Sequence, residues 1–238
     1  MDGFIGILGV VALMLGAGIV LGALLPGRMS LPWLLAAAAL VLMNDLMLTN
    51  GYGLFPNLPL GGDWNWQGKI LALAASAVVI ALPGFGRRET GLTLVQAAGS
   101  LKTALPVAGL YVGLFMVLAL IFPNDRPSVE TLIFQLTMPG LEEEVFYRGV
   151  LLVALGRAFA GRVRFLGVDW GLGAILSCML FGLAHAFGFS NGEFSFDPLT
   201  MGLTAVPSLI AVWMVLKTRS LMLPVLLHNF GNAVMMLV

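Results

Sequence analysis

Three apolar segments of this 238-residue chain carry polar side chains of the types that activate water. Only two histidines occur, His185 in FGLAHAFG and His228 in VLLHNFGNA. A third segment, PGLEEEVFYRGVLL, holds three acids and an arginine: Glu142, Glu143, Glu144 and Arg148. An ionisable group at the centre of a membrane helix costs about 2.5–3.5 kcal/mol on insertion scales. Ionisable groups that are kept in a membrane despite this cost indicate a function. Carboxylates together with histidines indicate acid–base chemistry.

The spacing of the acids predicts a different partner for each. Glu144 and Arg148 are four residues apart, so they share one helical face and can pair. Glu143 is rotated by about 100° from Glu144, which leaves it free for a partner on another helix. Glu142 faces a third direction, and the spacing assigns it no role. Pro139-Gly140, just before the acids, predicts a kink or break that opens the helix to water.

Each histidine has a second side chain on the same helical face. Phe181 and His185 are four residues apart, and so are His228 and Asn232. At about 1.5 Å per residue, Glu143 lies roughly 20 Å from the N-terminal end of its helix, and His228 lies roughly 10 Å from the N-terminal end of its own. These two ends are on opposite sides of the membrane. These depths agree for a membrane core of about 30 Å. By the same count His185 lies about 10 Å farther toward the outer side of the membrane than Glu143 and His228. Its helix must therefore start deeper in the membrane or tilt.

Composition places the chain in a membrane. It is 59% hydrophobic and 10% charged, and its mean hydropathy is +0.99, whereas a soluble domain carries about 25% charged residues. The formal net charge is +0, so nothing indicates a nucleic-acid partner. A single cysteine, Cys178, excludes an internal disulfide. We therefore expect a polytopic membrane protein whose partners are membrane lipid and a substrate.

Eight apolar segments are long enough, or nearly long enough, to cross a bilayer. They are 4–25, 31–49, 69–85, 104–122, 129–157, 171–188, 199–217 and 221–237. The sequence thus predicts an all-α, polytopic helical bundle with about eight transmembrane helices. We expect one integrated membrane domain, in which 1–128 holds helices without a catalytic motif and 129–238 forms the catalytic core.

The basic residues predict an orientation. Nine of the twelve fall in loops that follow odd-numbered segments: Arg28, Arg87, Arg88, Lys102, Arg157, Arg162, Arg164, Lys217 and Arg219. The loops after even-numbered segments hold only Lys69 and Arg126, beside several acids. By the positive-inside rule the odd-numbered loops are cytoplasmic. We therefore expect an integral protein of the cytoplasmic membrane with both termini on the extracytoplasmic side.

Taken together, the three motifs resemble those of a known family. Glu143-Glu144-x-x-x-Arg148-Gly149, Phe181-x-x-x-His185 and His228-x-x-x-Asn232 occur in this order, each in an apolar helix. They closely resemble the motifs of the CPBP family, which contains the type II CAAX prenyl proteases and the bacteriocin-processing and abortive-infection-like membrane proteins. The resemblance covers about 129–238. The additional acid Glu142 departs from the pattern, but Arg148 fixes the register on Glu143 and Glu144.

The resemblance implies an intramembrane endopeptidase with a polytopic helical core. It implies that Glu143 is the catalytic glutamate, that His185 helps it to activate water, and that His228 with Asn232 donates hydrogen bonds to the oxyanion. Glu144 and Arg148 would be supporting residues. The substrate would be a peptide or protein, membrane-anchored or lipidated ones included. The motifs contain no serine or cysteine, which argues against a covalent nucleophile.

Two questions stay open at this stage. A metal-free mechanism that requires no cofactor is favoured, because no H-E-x-x-H pair occurs and Asn232 is a poor zinc ligand. The alternative is a Zn²⁺ site with Glu143, His185 and His228 as ligands and one open position. Buried glutamate and histidine also build proton relays, so a proton-coupled transporter is the competing function. A catalytically silent membrane binding or immunity protein is the third.

Overall fold

A computed structural model describes residues 1–25, 29–58, 62–122 and 126–237, which are mainly helical. The α-helices are α1 Asp2–Leu24, α2 Leu31–Leu48, α3 Trp66–Ala81, α4 Leu101–Ile121, α5 Val129–Pro139, α6 Leu152–Ala158, α7 Leu172–Ala186, α8 Pro198–Thr218 and α9 Met222–Val234. A 3₁₀ turn occupies Asn50–Gly53. Of the residues that entered the predictions, Arg28 and Val238 lie outside the described part.

One long rod carries the acidic motif. α5 continues into a π-helical segment, Gly140–Leu151, which continues into α6. With this rod counted once, a helix lies in each of the eight predicted segments, so the predicted all-α bundle is confirmed. Among the described residues, four helices can cross a membrane by length and composition, namely α1, α2, α4 and α8. The chain is thus a membrane protein, while the number of eight crossings stays a prediction.

The exposed surface of the long helices is apolar. In α4, Leu110 is 75% exposed and Leu120 is 67% exposed. Such a surface is unfavourable in water, and it is what a helix that faces lipid tails requires. The interior contains large side chains from both halves of the chain, among them Leu34 of α2 and Phe146 and Leu151 of the π-helical segment. The core therefore lies around the rod that carries the acids.

Glycine lets the rod and α7 approach closely. A Cβ added at Gly173 would lie 2.4 Å from the Leu155 carbonyl, so no larger residue fits without moving a backbone. The Ser177 hydroxyl donates to the Tyr147 carbonyl at 2.8 Å, four residues further along α7 and eight residues back along the rod. These two contacts fix the height of α7 against the rod, and with it the height of His185.

Two β-hairpins, which the sequence analysis did not predict, complete the fold. β1 Arg162–Phe165 pairs antiparallel with β2 Val168–Gly171, and β3 Phe187–Ser190 pairs antiparallel with β4 Glu193–Phe196. Asn191 and Gly192, at the tip of the second hairpin, both have positive φ, as a two-residue type I′ turn requires. This hairpin follows directly after α7 and packs on α1, where Phe187 and Phe194 approach Gly9.

Candidate active site

The π-helical segment begins where the sequence predicts a kink. Pro139 has no backbone N–H, and the Gly140 N–H donates to the Asn229 side chain of α9 at 2.7 Å as well as to the Thr137 carbonyl of its own helix. The Asn229 amide donates in turn to the Thr137 carbonyl at 3.2 Å. A Cβ at Gly140 would lie 2.5 Å from the Asn229 oxygen, so glycine is needed for this contact. The rod is therefore widened and held by α9, and it is not broken.

Glu144 joins Arg148 to His228. The Arg148 Nη1 lies 3.2 Å from the Glu144 Oε1, which is the pairing that the four-residue spacing predicts. The His228 Nδ1 donates to the same oxygen at 2.8 Å. Arg148 also donates to the Ser208 hydroxyl at 2.8 Å, and its guanidinium lies 4.0 Å from the centre of the Phe181 ring. Glu144 and Arg148 are almost fully buried, so together they hold His228 rigidly.

Glu143 lies between the two histidines. Its Oε2 is 3.9 Å from the His185 Nε2 and 3.6 Å from the His228 Nε2. Both separations exceed hydrogen-bond length, and the buried Oε2 has no hydrogen-bond partner among the described residues. Its other oxygen, Oε1, lies 2.6 Å from the Lys69 ammonium of α3. One oxygen is thus held by a cation, while the other faces both imidazole rings.

The hydrogen bonds of the rings fix their tautomers. The His185 Nδ1 lies 2.7 Å from the Phe181 carbonyl, and the His228 Nδ1 bonds the Glu144 carboxylate. Both partners accept, so each Nδ1 carries a hydrogen. A neutral ring then presents a lone pair at Nε2, opposite the lone pairs of Glu143. Such acceptors repel each other unless a hydrogen lies among them. The arrangement suits a water molecule that donates to Glu143 and to one imidazole.

One cavity brings all six predicted residues together. A volume of about 360 Å³ is lined by Glu143, Glu144, Arg148, His185, His228 and Asn232. Its apolar wall comes from α4, α8 and α9, with Tyr111, Phe115, Leu203, Pro207, Met214 and Leu227. Phe115 packs on Gly231, where an added Cβ would lie 2.9 Å from the ring. The α4 helix therefore supports the part of α9 that carries His228 and Asn232.

The depth discrepancy of His185 is explained by where α7 starts. α7 starts deep, because Gly173 contacts Leu155 inside the rod. α7 and the rod are consecutive helices joined by a hairpin, so they run in opposite directions. From the contact of Gly173 with Leu155, His185 and Glu143 are each twelve residues away along their helices, and their side chains approach to 3.9 Å.

Two of the acids share a partner that their spacing does not predict. Lys69 donates at 2.6 Å to Glu142 and at 2.6 Å to Glu143. Glu142, to which the spacing assigned no role, has a fully buried side chain. Lys69 was counted among the loop charges that set the orientation, but its side chain points into the bundle. In the predicted segment 69–85 Lys69 is the first residue, whereas α3 begins one turn earlier, at Trp66, and so places Lys69 inside the helix.

Three observations bear on the alternative zinc site. Within the described ranges, no group of three His, Cys, Asp or Glu side chains is placed to hold a metal ion. The Glu143 Oε2 lies 3.9 Å from the His185 Nε2 and 3.6 Å from the His228 Nε2, which is close to the roughly 3.3 Å between two ligands of one tetrahedral zinc. The Lys69 ammonium already binds the Glu143 carboxylate, so a metal ion there would place a second cation on one buried acid.

Comparison with known proteins agrees with the motifs. Residues 125–234 match the family described as "Type II CAAX prenyl endopeptidase Rce1-like". Comparisons with curated proteins and with solved structures find no match. The matched residues include all three motifs and exclude α1 to α4, and hence Lys69. Over residues 125–234 this membrane protein is therefore similar to the Rce1-like family of type II CAAX prenyl endopeptidases, the group that its motifs resemble.

Proposed function

We propose that this protein is an intramembrane endopeptidase that uses a glutamate-activated water. The observation that carries the proposal is the convergence of the Glu143 Oε2 with the Nε2 atoms of His185 and His228. Each ring has its Nδ1 committed to an acceptor, so its Nε2 is free for chemistry. The family match supports a protease in general, and the roles of single residues are our proposal.

In the first step, water attacks the carbonyl carbon of the scissile bond. As its oxygen forms the new C–O bond, the Glu143 carboxylate takes one of its protons, and the π electrons of the carbonyl move to oxygen. The His185 Nε2 accepts the hydrogen bond of the second water proton and so orients the molecule. When the tetrahedral intermediate collapses, the C–N bond breaks and the proton held by Glu143 passes to the leaving nitrogen.

His228 and Asn232 stabilise the negative oxygen of that intermediate. Because the Nδ1 of His228 already donates to Glu144, its Nε2 can donate only when the ring is an imidazolium. The Glu144 carboxylate stabilises that positive charge and is itself paired with Arg148. The Asn232 amide, on the same face of α9, supplies a second donor. Loss of one such donor typically lowers kcat by about 10²–10³-fold.

The substrate is a peptide or protein that reaches the cavity within the membrane. The apolar wall of the cavity supports a membrane-anchored or lipidated substrate, because an aliphatic chain is favoured against such residues. We further propose that the protein lies in the cytoplasmic membrane with both termini on the extracytoplasmic side. A reporter placed near Arg162 should then face the cytoplasm, and one fused after Val238 should face the opposite side.

The experiment that tests the function is peptide cleavage by the purified protein in detergent, with products identified by mass spectrometry. Peptides encoded by genes near its own are the first substrates to test. New termini that form with the wild-type protein, and not with Glu143→Gln, support the proposal. A protein that is folded, binds peptide and cleaves none of a diverse set would contradict it.

We also propose that catalysis requires no metal. The Lys69 cation on Glu143 supports this reading. Elemental analysis of active protein should give well under one metal ion per chain, and chelators should leave the rate unchanged. One tightly bound zinc per chain, with activity lost on its removal and restored by its return, would overturn the metal-free mechanism and leave the protease assignment in place.

A further inference from the structure

Lys69 reaches the candidate active site from outside the family domain. It lies on α3, and the match to the family begins at residue 125. Its ammonium is 2.6 Å from a carboxylate oxygen of Glu142 and 2.6 Å from one of Glu143. The Lys69 and Glu143 side chains are each only 14% exposed, and Glu142 is 0% exposed. Within the described part of the chain, it is the one Lys or Arg that contacts Glu143.

The start of α3 is tied to the start of α5, which sets the height of Lys69. The Trp66 indole donates to Glu130 at 2.8 Å, and the Trp64 indole donates to Thr131 at 3.0 Å. Asn65 caps α3 by accepting from the Gly68 N–H at 3.0 Å. These contacts hold the N-terminal ends of the two helices together, at the end of α3 nearest to Lys69. The position of the ammonium against the Glu143 carboxylate is therefore determined by the fold.

One ammonium faces two carboxylates in this trio. With both acids ionised, the three groups sum to one negative charge. An ammonium paired with Glu143 alone would cancel the charge of its carboxylate and leave a neutral pair. Glu142 is more deeply buried than Glu143, and its carboxylate shares the same ammonium. Glu142, the acid that departs from the family pattern, and Lys69, which lies outside the family domain, thus form one unit.

We propose that Lys69 is a positioning residue for the catalytic carboxylate. It holds the Oε1 of Glu143, so that Oε2 points at the two histidines, and Glu142 balances its charge. This inference rests on the proposed function, because it assigns to Glu143 the role of base. It also gives α1 to α4 a task in catalysis, since the helix that carries Lys69 belongs to them.

The test compares three variants by kcat, KM and thermal unfolding. Lys69→Met alone leaves two buried acids without a cation, so it is expected to unfold at a lower temperature. The double variant Lys69→Met with Glu142→Gln removes one charge of each sign, and its melting temperature should stay close to that of the wild type. Lys69→Arg keeps a cation that can bind both acids. Lys102→Met, at an exposed lysine of α4, is the matched control and should change nothing.

A positioning role predicts that the double variant is folded and slow. Its kcat should fall by about 10–100-fold with KM changed less than about twofold, because a reacting group displaced by about 1 Å loses rate on this scale. Lys69→Arg should fall between the double variant and the wild type. A double variant with the kcat of the wild type would overturn the inference, since Lys69 would then only neutralise charge.

Failure of the proposed function is recognised separately. If the wild-type protein cleaves no peptide, the protease proposal fails, and the pairing is then tested by unfolding alone. In a double-mutant cycle of Lys69→Met and Glu143→Gln, the pairing predicts that the second change costs less melting temperature once the first is made. Strictly additive shifts would overturn the pairing of Lys69 with Glu143.

Discussion

The helices before residue 122 and those after residue 126 contribute to the site in different ways. The later helices provide all six predicted site residues, and each of these lines the same cavity. The earlier helices provide the Lys69 ammonium and two aromatic rings of the wall, Tyr111 and Phe115. Motifs identify groups that react, because only certain side chains can do the chemistry. They do not identify a residue that holds those groups in place, because such a residue can come from any neighbouring helix.

The same contrast separates the neighbouring acids of the rod. Glu144 has its partners, Arg148 and His228, among the family residues. Glu142 has its ion-pair partner, Lys69, on a helix outside the family domain. Glu143 contacts both sides, with Oε1 toward Lys69 and Oε2 toward the histidines. The catalytic carboxylate in our account is thus the point where the two parts of the molecule meet.

The largest effect is expected at Glu143. Glu143→Gln keeps the volume and removes the base, so kcat should fall at least ~10²-fold while the protein still inserts. Glu142→Gln is the matched neighbour, since it leaves the contact of Lys69 with Glu143 in place and should lower kcat less. The measurement is the initial rate of peptide cleavage for both variants. Equal losses would erase the distinction between the acid that reacts and the acid that balances charge.

A loss of about 10²-fold in kcat is expected for Asn232→Ala. The lost hydrogen bond forms mainly in the transition state, so KM should change little. Asn229→Ala, on the same helix, is a useful contrast, because that side chain bonds the backbone of the rod and its loss should lower the melting temperature. A change in KM alone for Asn232→Ala would assign it to substrate binding.

Replacing Glu144 should lower the stability of the protein more than its rate of cleavage. Glu144→Gln leaves the buried Arg148 without its carboxylate and weakens the hold on His228. Breaking a buried ion pair from one side typically costs about 3–5 kcal/mol, so expression and melting temperature should fall. Thermal unfolding in detergent measures this. A variant that melts with the wild type and loses only kcat would show that Glu144 acts in the reaction and not in the packing.

The smallest effects are expected from substitutions of two glycines, Gly140 in the rod and Gly109 in α4. An alanine at Gly140 would place its Cβ 2.5 Å from the Asn229 oxygen, so Gly140→Ala should lower the melting temperature and the rate. An alanine at Gly109 of α4 would contact nothing within 4 Å, so Gly109→Ala should leave both unchanged. Both variants add one methyl group and are compared by unfolding and cleavage. A large effect at Gly109 would indicate that the exposed face of α4 packs against another molecule.

The helices could be predicted because the membrane leaves few choices. Apolar runs must satisfy their backbone internally, so eight segments translate into helical rods. The Glu144–Arg148 pair followed from helical spacing alone. The hairpins were missed, although Asn191-Gly192 is a known hairpin signal, because short loops between apolar runs were read only as breaks. The π-helical segment was read as a kink, since the compensating Asn229 lies far along the chain.

The contacts between helices could not be read from one sequence. Spacing places Glu143 on a face of its own, but it does not say which helix lies opposite. Lys69 pairs with Glu143 across 74 positions, and His228 pairs with Glu144 across 84. Such pairs depend on how helices pack, which hydrophobic periodicity does not encode. The depth of His185 was uncertain for the same reason, because Gly173 fixes it through a contact with the preceding helix.

The most direct test of the account is the mass of the products that form in H₂¹⁸O. Hydrolysis by an activated water predicts that the wild-type protein splits the peptide in two and places ¹⁸O in the new carboxyl terminus. Glu143→Gln should give no such product on the same timescale, although it binds the peptide. If Glu143→Gln produced labelled product at the wild-type rate, Glu143 would not be the base and the central claim would be wrong.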